Sequence, residues 1–275
     1  MPWFPDFVSA VELARIQTRA AGLADPVNLY FAALGDGDTE TLEAVWPGDV
    51  VVFDPRAGEV RGHEQLLTFV SQNQRWLSEL QARTEPVASV RDGSRAVVEI
   101  LAHLTKGGQE LAWPVAVVAE SPDDRSMTFR TYCSQWPLFG QRPVRPAILP
   151  SGTEQLTDVV AQYFAALGDG DHVAAVACFE ANGYVREPIG VHATHRGIEA
   201  LGSYFTDLLA DGGFGLEVCA VTDDGVLCAV EYTCVGWGGR DLPPQAGIGV
   251  YERGPNGLLA AARAYDDIER PAQAS

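Results

Sequence analysis

Residues 30–38 read YFAALGDGD, and residues 163–171 read YFAALGDGD again, an unbroken recurrence 133 positions further on. Nine identical residues at one offset make the chain a tandem of two homologous repeats. The register holds beyond the string: Asp54-Pro55 with Gly58 answers Glu187-Pro188 with Gly190, Arg61-Gly62 answers Arg196-Gly197, and Tyr132 answers Tyr265. Chemistry carried by one repeat is therefore carried by the other, or visibly lost from it.

Val27, Tyr30, Phe31 and Leu34, with Val160, Tyr163, Phe164 and Leu167 in the second copy, step by three and four. The string is thus the end of an amphipathic helix that stops at Gly-Asp-Gly. Asp38 and Asp171 are placed to cap the next helix, which carries Leu42, Val45 and Trp46 in one copy and Val173, Val176 and Phe179 in the other. A strand then runs into Asp54-Pro55 or Glu187-Pro188. A third helix follows the Arg-Gly pair, with Leu66, Leu67, Phe69 and Val70 answered by Ile198, Leu201, Tyr204 and Phe205. Behind it, residues 85–90, 95–105, 111–119 and 126–133 are β-rich and separated by turn residues, as are 217–222, 226–237, 247–252 and 258–265. That is the pattern of an antiparallel meander. Each repeat is predicted as an α+β domain with three helices on one face of a curling antiparallel sheet. The other face needs cover, which a second copy can give as an intramolecular pseudo-dimer, whether the whole chain is a monomer or a homodimer.

The cut falls at residues 141–154, where Pro143, Pro146, Pro150 and Gly152 give the composition of a semi-rigid linker. The domains are then 25–140 and 155–275. Residues 1–24 form an added amphipathic helix, with Phe7, Val8, Val11, Ala14 and Ile16 near helical spacing, and nothing precedes the second repeat in the same way. A length of 275 residues suits two domains, and a formal net charge of −18 with no local basic cluster argues against a nucleic-acid or membrane partner. The start has no basic region and too short an apolar run for a signal peptide, so a cytoplasmic protein is expected. The five cysteines make no C-x-x-C and are read as core residues.

The order of elements, with Y-x-A-A-L-x-x-G-D near the start and a strand ending in acid-Pro and glycine, resembles the SnoaL-like branch of the nuclear transport factor 2-like superfamily, which includes ketosteroid isomerase. The resemblance covers both repeats and implies two tandem cone-shaped domains, each with a concave interior for an apolar ligand. It also implies roles. Asp54 and Glu187 match the general base of the isomerases, and Tyr30 and Tyr163 match the phenol that donates to the developing oxyanion. The isomerases add a protonated aspartate on a later strand, where this chain reads Trp113-Pro114-Val115-Ala116-Val117 or Gly247-Ile248-Gly249-Val250-Tyr251, with no acid. SnoaL-type polyketide cyclases place a catalytic aspartate on the last strand. Asp266 falls there, and the first repeat has Cys133. The tandem form is similar to the epoxide hydrolase/cyclases of polyether biosynthesis, which pair the first acid with a second one; Glu85 and Glu217 are its candidates.

A carboxylate in an apolar interior has its pKa raised and can take a proton near neutrality, while a facing phenol stabilises the oxygen that gains charge. Epoxide opening needs two acids with separated pKa values, a demand that the second repeat meets better with Glu187, Asp266 and Glu217. Against these stand plainer roles: a tyrosine on a buried helix face is often core, an acid before proline often a turn residue, and a strand acid often solvent-facing. Glu99 and Glu231 recur in register within a strand and are read as solvent-facing or interdomain. His103 is read as packing, and Trp76, Trp113, Trp136 and Trp237 as core or cavity wall. His192 and His195 are spaced H-x-x-H on a loop without a third ligand, so neither a metal nor a cofactor is assigned. The expectation is a cofactor-free acid/base enzyme of secondary metabolism that cyclises or isomerises a small apolar, polyketide-like substrate. Its alternatives are a non-catalytic binder of hydrophobic ligands and a double-bond isomerase of the ketosteroid type.

Overall fold

The computed structural model describes residues 25–123 and 125–268, so the helix expected before residue 25 lies outside the described residues. The first repeat runs α1 (Pro26–Asp36), α2 (Thr39–Val45), β1 (Val50–Asp54), β2 (Gly58–Arg61), α3 (His63–Glu79), β3 (Arg83–Asp92), β4 (Arg95–Lys106), β5 (Gln109–Asp123) and β6 (Ser126–Tyr132). The one-turn α4 (Trp136–Phe139) follows. The second repeat gives the same order: α5 (Asp158–Asp169), α6 (His172–Ala177), β7 (Phe179–Arg186), β8 (Thr194–Arg196), α7 (Ile198–Leu208), β9 (Phe214–Asp223), β10 (Leu227–Trp237), β11 (Arg240–Arg253) and β12 (Leu259–Ala264). These are two tandem α+β domains. Among the described residues no helix is long and apolar enough to cross a membrane.

The repeated string does locally what its residues dictate. Gly37 and Gly170 take left-handed φ values of 73° and 70° and end α1 and α5, a conformation that costs glycine nothing. One residue on, Asp38 and Asp171 cap α2 and α6, accepting the N–H groups of Thr41 and Ala174 at 2.9 Å each. Val27, Tyr30, Leu34, Val160, Tyr163 and Leu167 are buried, as their spacing predicts. Other apolar positions are not. Leu67 and Ile198 are exposed at the edge of their helix faces, and so is Val173. Because α6 ends at Ala177 with Cys178 as its cap, Phe179 opens the following strand instead of closing the helix.

Each sheet has six strands, in the orders β2-β1-β6-β5-β4-β3 and β8-β7-β12-β11-β10-β9. The expected wholly antiparallel sheet is corrected here: β1 pairs with β6, and β7 with β12, in parallel. The chain returns to the first strand from the far end of the meander, and the helices between supply the crossover that parallel pairing requires. Register shifts at Pro86/Ala88 and Cys234/Gly236 mark bulges, which bend the strands and curve the sheet.

By mutual contact, among the described residues, 25–81 with Val118–Arg130 form one compact unit, and Ala82–Val117 with 131–268 form another. Glu99 and Glu231 belong to the second and are both buried, contrary to the solvent-facing reading. Their pairing is reciprocal. Arg263 clamps Glu99 with two hydrogen bonds of 2.7 and 2.8 Å, and Tyr265 donates its hydroxyl to the same carboxylate. Tyr132 donates to Glu231 at 2.6 Å. Burial works against the charge on Arg263, and the Glu99 carboxylate more than offsets it, holding the guanidinium firmly protonated.

Candidate active site

The strand registers put the two repeats side by side residue for residue. Val52 of β1 pairs with Val60 of β2 and Phe129 of β6. Its counterpart Val185 of β7 pairs with His195 of β8 and Ala262 of β12. In the first repeat Phe129 stacks on Tyr30 with ring centroids 4.2 Å apart, and Trp46 packs edge-on against Phe129 at 5.5 Å. All three rings are buried. In the second repeat Ala262 vacates that volume, and a cavity of about 530 Å³ opens there. Its walls are Tyr163, Tyr204, Phe214, Tyr232, Trp237 and Tyr251, with Val185, Leu167, Leu208 and Leu216 between them. Such a concave, mostly apolar chamber with a few polar groups at one pole is the usual form of a small-molecule site.

The polar residues of the lining include Glu187, Asp266, Asp267 and Arg142; Arg263 also borders it, with its guanidinium bonded to Glu99, Tyr184 and Glu252. Glu187 follows β7 and is held by the backbone bond from its N–H to the Ala193 carbonyl at 2.9 Å, which folds the hairpin so that His195 reaches it. Nε2 of His195 lies 2.8 Å from Glu187 Oε1, and the imidazole stacks on Tyr204 at 4.3 Å. Asp266 follows β12 and is buried, with Oδ2 taking no hydrogen bond. Burial pushes its carboxyl up to about 7, against the opposing pull of Arg145, whose Nη1 stands 3.9 Å from Asp266 Oδ1. Asp267 is raised as well, by burial first, although Ser134 donates to its Oδ2 at 2.5 Å and Arg142 lies 3.9 Å from its Oδ1. Burial likewise pushes the phenols of Tyr163, Tyr232 and Tyr251 above their ordinary value, so they stay protonated and keep an O–H to donate.

The predicted site residues divide accordingly. Glu187, Tyr163 and Asp266 line one cavity. Asp54 does a turn residue's work instead: its Oδ1 accepts the N–H groups of Arg56 and Ala57 at 2.8 and 2.9 Å. Tyr30 is core beneath Phe129. Glu85 is exposed and lies 3.2 Å from His103, and Glu217 is exposed and accepts the Ser151 hydroxyl at 2.5 Å. Neither is brought to the cavity lining. Of the tryptophans, Trp237 is cavity wall, Trp113 is buried and donates to the Ser134 carbonyl at 2.7 Å, Trp76 lies under the Arg56 guanidinium, and Trp136 is exposed. Tyr204, Tyr232, Tyr251, Asp267 and Arg142 escape a motif reading, and His195, singled out as half of H-x-x-H, has Glu187 as its partner. A signal existed for His195 alone, two registered residues from Glu187 on the same hairpin.

Among the described residues the fold is a small α+β domain, duplicated, with an acid-lined chamber in the second copy. Residues 27–128 match the family model of the SnoaL-like domain, and the second repeat follows the first element for element. No curated protein matches the chain. Among solved structures it is similar to a candidate polyketide cyclase from Sinorhizobium meliloti, 21% identical, covering 40% of this chain and 94% of that one with a TM-score of 0.34. It is similar to SalBIII, an epoxide hydrolase/cyclase-like enzyme of pyran ring formation in polyether salinomycin, 21% identical over 40% of this chain and 88% of that one, TM-score 0.34. A protein with a ketosteroid isomerase-like fold from Catenulispora acidiphila, in complex with trimethylamine, is 18% identical over 42% of this chain and 88% of that one, TM-score 0.35.

Proposed function

We propose that the second repeat is a cofactor-free acid/base catalyst that closes a ring on a small, largely apolar, polyketide-like substrate, with opening of an epoxide by an internal hydroxyl as its specific form. The observation that carries this reading is the pairing, in one aromatic chamber, of a desolvated carboxyl at Asp266 with the His195-bonded carboxyl of Glu187. Two acids in unlike surroundings divide the labour. Asp266, raised to about 7, still carries its proton near neutrality and gives it to the leaving epoxide oxygen. Glu187 takes the proton of the attacking hydroxyl, whose oxygen forms the new C–O bond as the epoxide C–O bond breaks. Solvent then returns the proton from Glu187 to Asp266. Atoms balance as an isomerisation. The buried phenols of Tyr163, Tyr232 and Tyr251 donate to substrate oxygens, and the aromatic walls exclude water that would otherwise hydrolyse the epoxide.

The test uses an aryl-substituted hydroxy-epoxide as probe, with ring formation followed by mass spectrometry and binding by calorimetry. The wild type is expected to cyclise it faster than buffer, and Asp266→Asn and Glu187→Gln each to lose roughly 10²–10⁴-fold in kcat with binding retained. Turnover equal to wild type in both variants removes the acid/base reading. Binding by the wild type with no acceleration makes the protein a carrier of hydrophobic ligands.

A further inference from the structure

The acid pair of the second repeat is not held by the second repeat alone. Ser134 comes from the end of the first repeat, two residues past β6, and Arg145 from the proline-rich connector at 141–154, and both reach the pair from outside its own sheet. Ser134 is itself buried and its hydroxyl donates to Asp267 Oδ2 at 2.5 Å. Trp113 and Trp136 fix it in turn, the first donating to its carbonyl and the second giving its backbone N–H to the Ser134 hydroxyl at 3.1 Å. Arg145 is mostly buried, with its guanidinium over the Tyr132 ring and bonded to the Thr131 carbonyl, and its Nη1 faces Asp266 Oδ1 at 3.9 Å. The segment around it is clamped to β11: Ala246 donates to the Arg145 carbonyl at 2.9 Å, and Ala147 to that of Pro244 at 3.2 Å. A flexible linker has no need of such anchorage.

We infer that the stretch from Ser134 to Arg145 is part of the catalytic apparatus, with Arg145 and Ser134 acting as positioning residues for the Asp266–Asp267 pair. The inference rests on the acid/base reading for its catalytic meaning, and on the geometry alone for the coupling itself. Arg145 supplies the cation that the buried Asp266 faces; the other groups bearing on that carboxyl are Asp267, Glu231 and Tyr232, together with the Ile248 backbone N–H. Of the charged groups named, only Arg145 favours the ionised form. Without it, Asp266 keeps its proton to a higher pH and becomes a weaker donor.

The experiment is a carboxyl ¹³C NMR titration of the full chain labelled at aspartate, without substrate. Arg145→Gln is expected to move the Asp266 midpoint up by roughly one unit or more, as loss of an opposite charge at this range does. Arg145→Lys should restore most of the wild-type value. Ser134→Ala should raise the Asp267 midpoint, with Ser134→Thr restoring it. The control is Glu154→Gln, which breaks the ion pair of Glu154 with Arg95 at the end of the connector without touching either acid, and should move neither midpoint. An Asp266 midpoint unchanged in Arg145→Gln overturns the inference, as does an equal shift in the control. Because the readout needs no turnover, an inactive wild type would remove the proposed reaction and leave the coupling to be decided by the titration.

Discussion

At the scale of one residue, Asp266 is an expense to the fold. Its carboxyl titrates at about 7 in the folded chain and near 4 in an unfolded one, so the native state holds a proton through that window that the unfolded state has released. The sign follows from the raised value. Stability from this group is fully present below about pH 4, falls as pH rises from about 4 to 7, and is flat above. Three units correspond to roughly 4 kcal/mol, an upper bound for a single site. Asp266→Asn should therefore match the wild type in urea unfolding near pH 4 and exceed it in stability at pH 8, by up to that amount. Equal denaturation midpoints at both pH values would show that the carboxyl is not desolvated. The same titration governs chemistry. A general acid at Asp266 makes the rate fall above about pH 7, and that limb should vanish with the residue. A desolvated carboxyl that lines a chamber is what the proposed general acid requires.

At the scale of the element, identical sequence does not mean identical demand. Gly37 and Gly170 close the same nine-residue string in the same left-handed conformation, which costs an L-residue about 1–2 kcal/mol. A Cβ on Gly37 would meet the end of the Gln74 side chain, which can swing away. A Cβ on Gly170 would lie 2.8 Å from the backbone nitrogen of Gly213, which cannot. Gly170→Ala should thus destabilise by roughly 1–3 kcal/mol more than Gly37→Ala, the usual cost of forcing a close contact apart. Thermal unfolding of the two single variants checks it, and equal losses would refute the contact. The helices, caps and meander were legible because they rest on local spacing and on turn residues: Gly37 ends α1, Asp38 caps α2, and Val27, Tyr30 and Leu34 face inward. The parallel joins of β1 to β6 and β7 to β12 were not, since pairing across more than seventy residues leaves no periodic trace. Nor were the contacts of Arg145, because a proline-rich stretch reads as a spacer until something is seen to bind it, or those of Ser134, a lone serine past the end of a strand.

Across the whole molecule, duplication has set unlike side chains at one position: Phe129 packs on Tyr30 in the first copy, where Ala262 borders a chamber in the second. The sequence already displayed the exchanges, Phe129 for Ala262 and Val60 for His195, but only strand register shows that both flank the same position, Val52 or Val185. Sequence could likewise offer Asp54 and Glu187 as equals. They part because the first is followed by Pro55-Arg56-Ala57-Gly58, a tight turn whose N–H groups claim the carboxylate, and the second by a longer hairpin that brings His195 to it. If Ala262 is what holds the second chamber open, then Ala262→Phe should close it. The new ring enters existing space, as Phe129 does over Tyr30, so stability should change by less than about 1.5 kcal/mol while calorimetric binding of 2-naphthol, a neutral two-ring probe, is lost. The converse, Phe129→Ala, removes a fully buried ring and should cost roughly 3–5 kcal/mol, with part of that recovered when the same probe enters the vacated volume. Binding unchanged in Ala262→Phe would show that the probe's site lies elsewhere, and with it would go the claim that one residue on the last strand keeps the second repeat's chamber open.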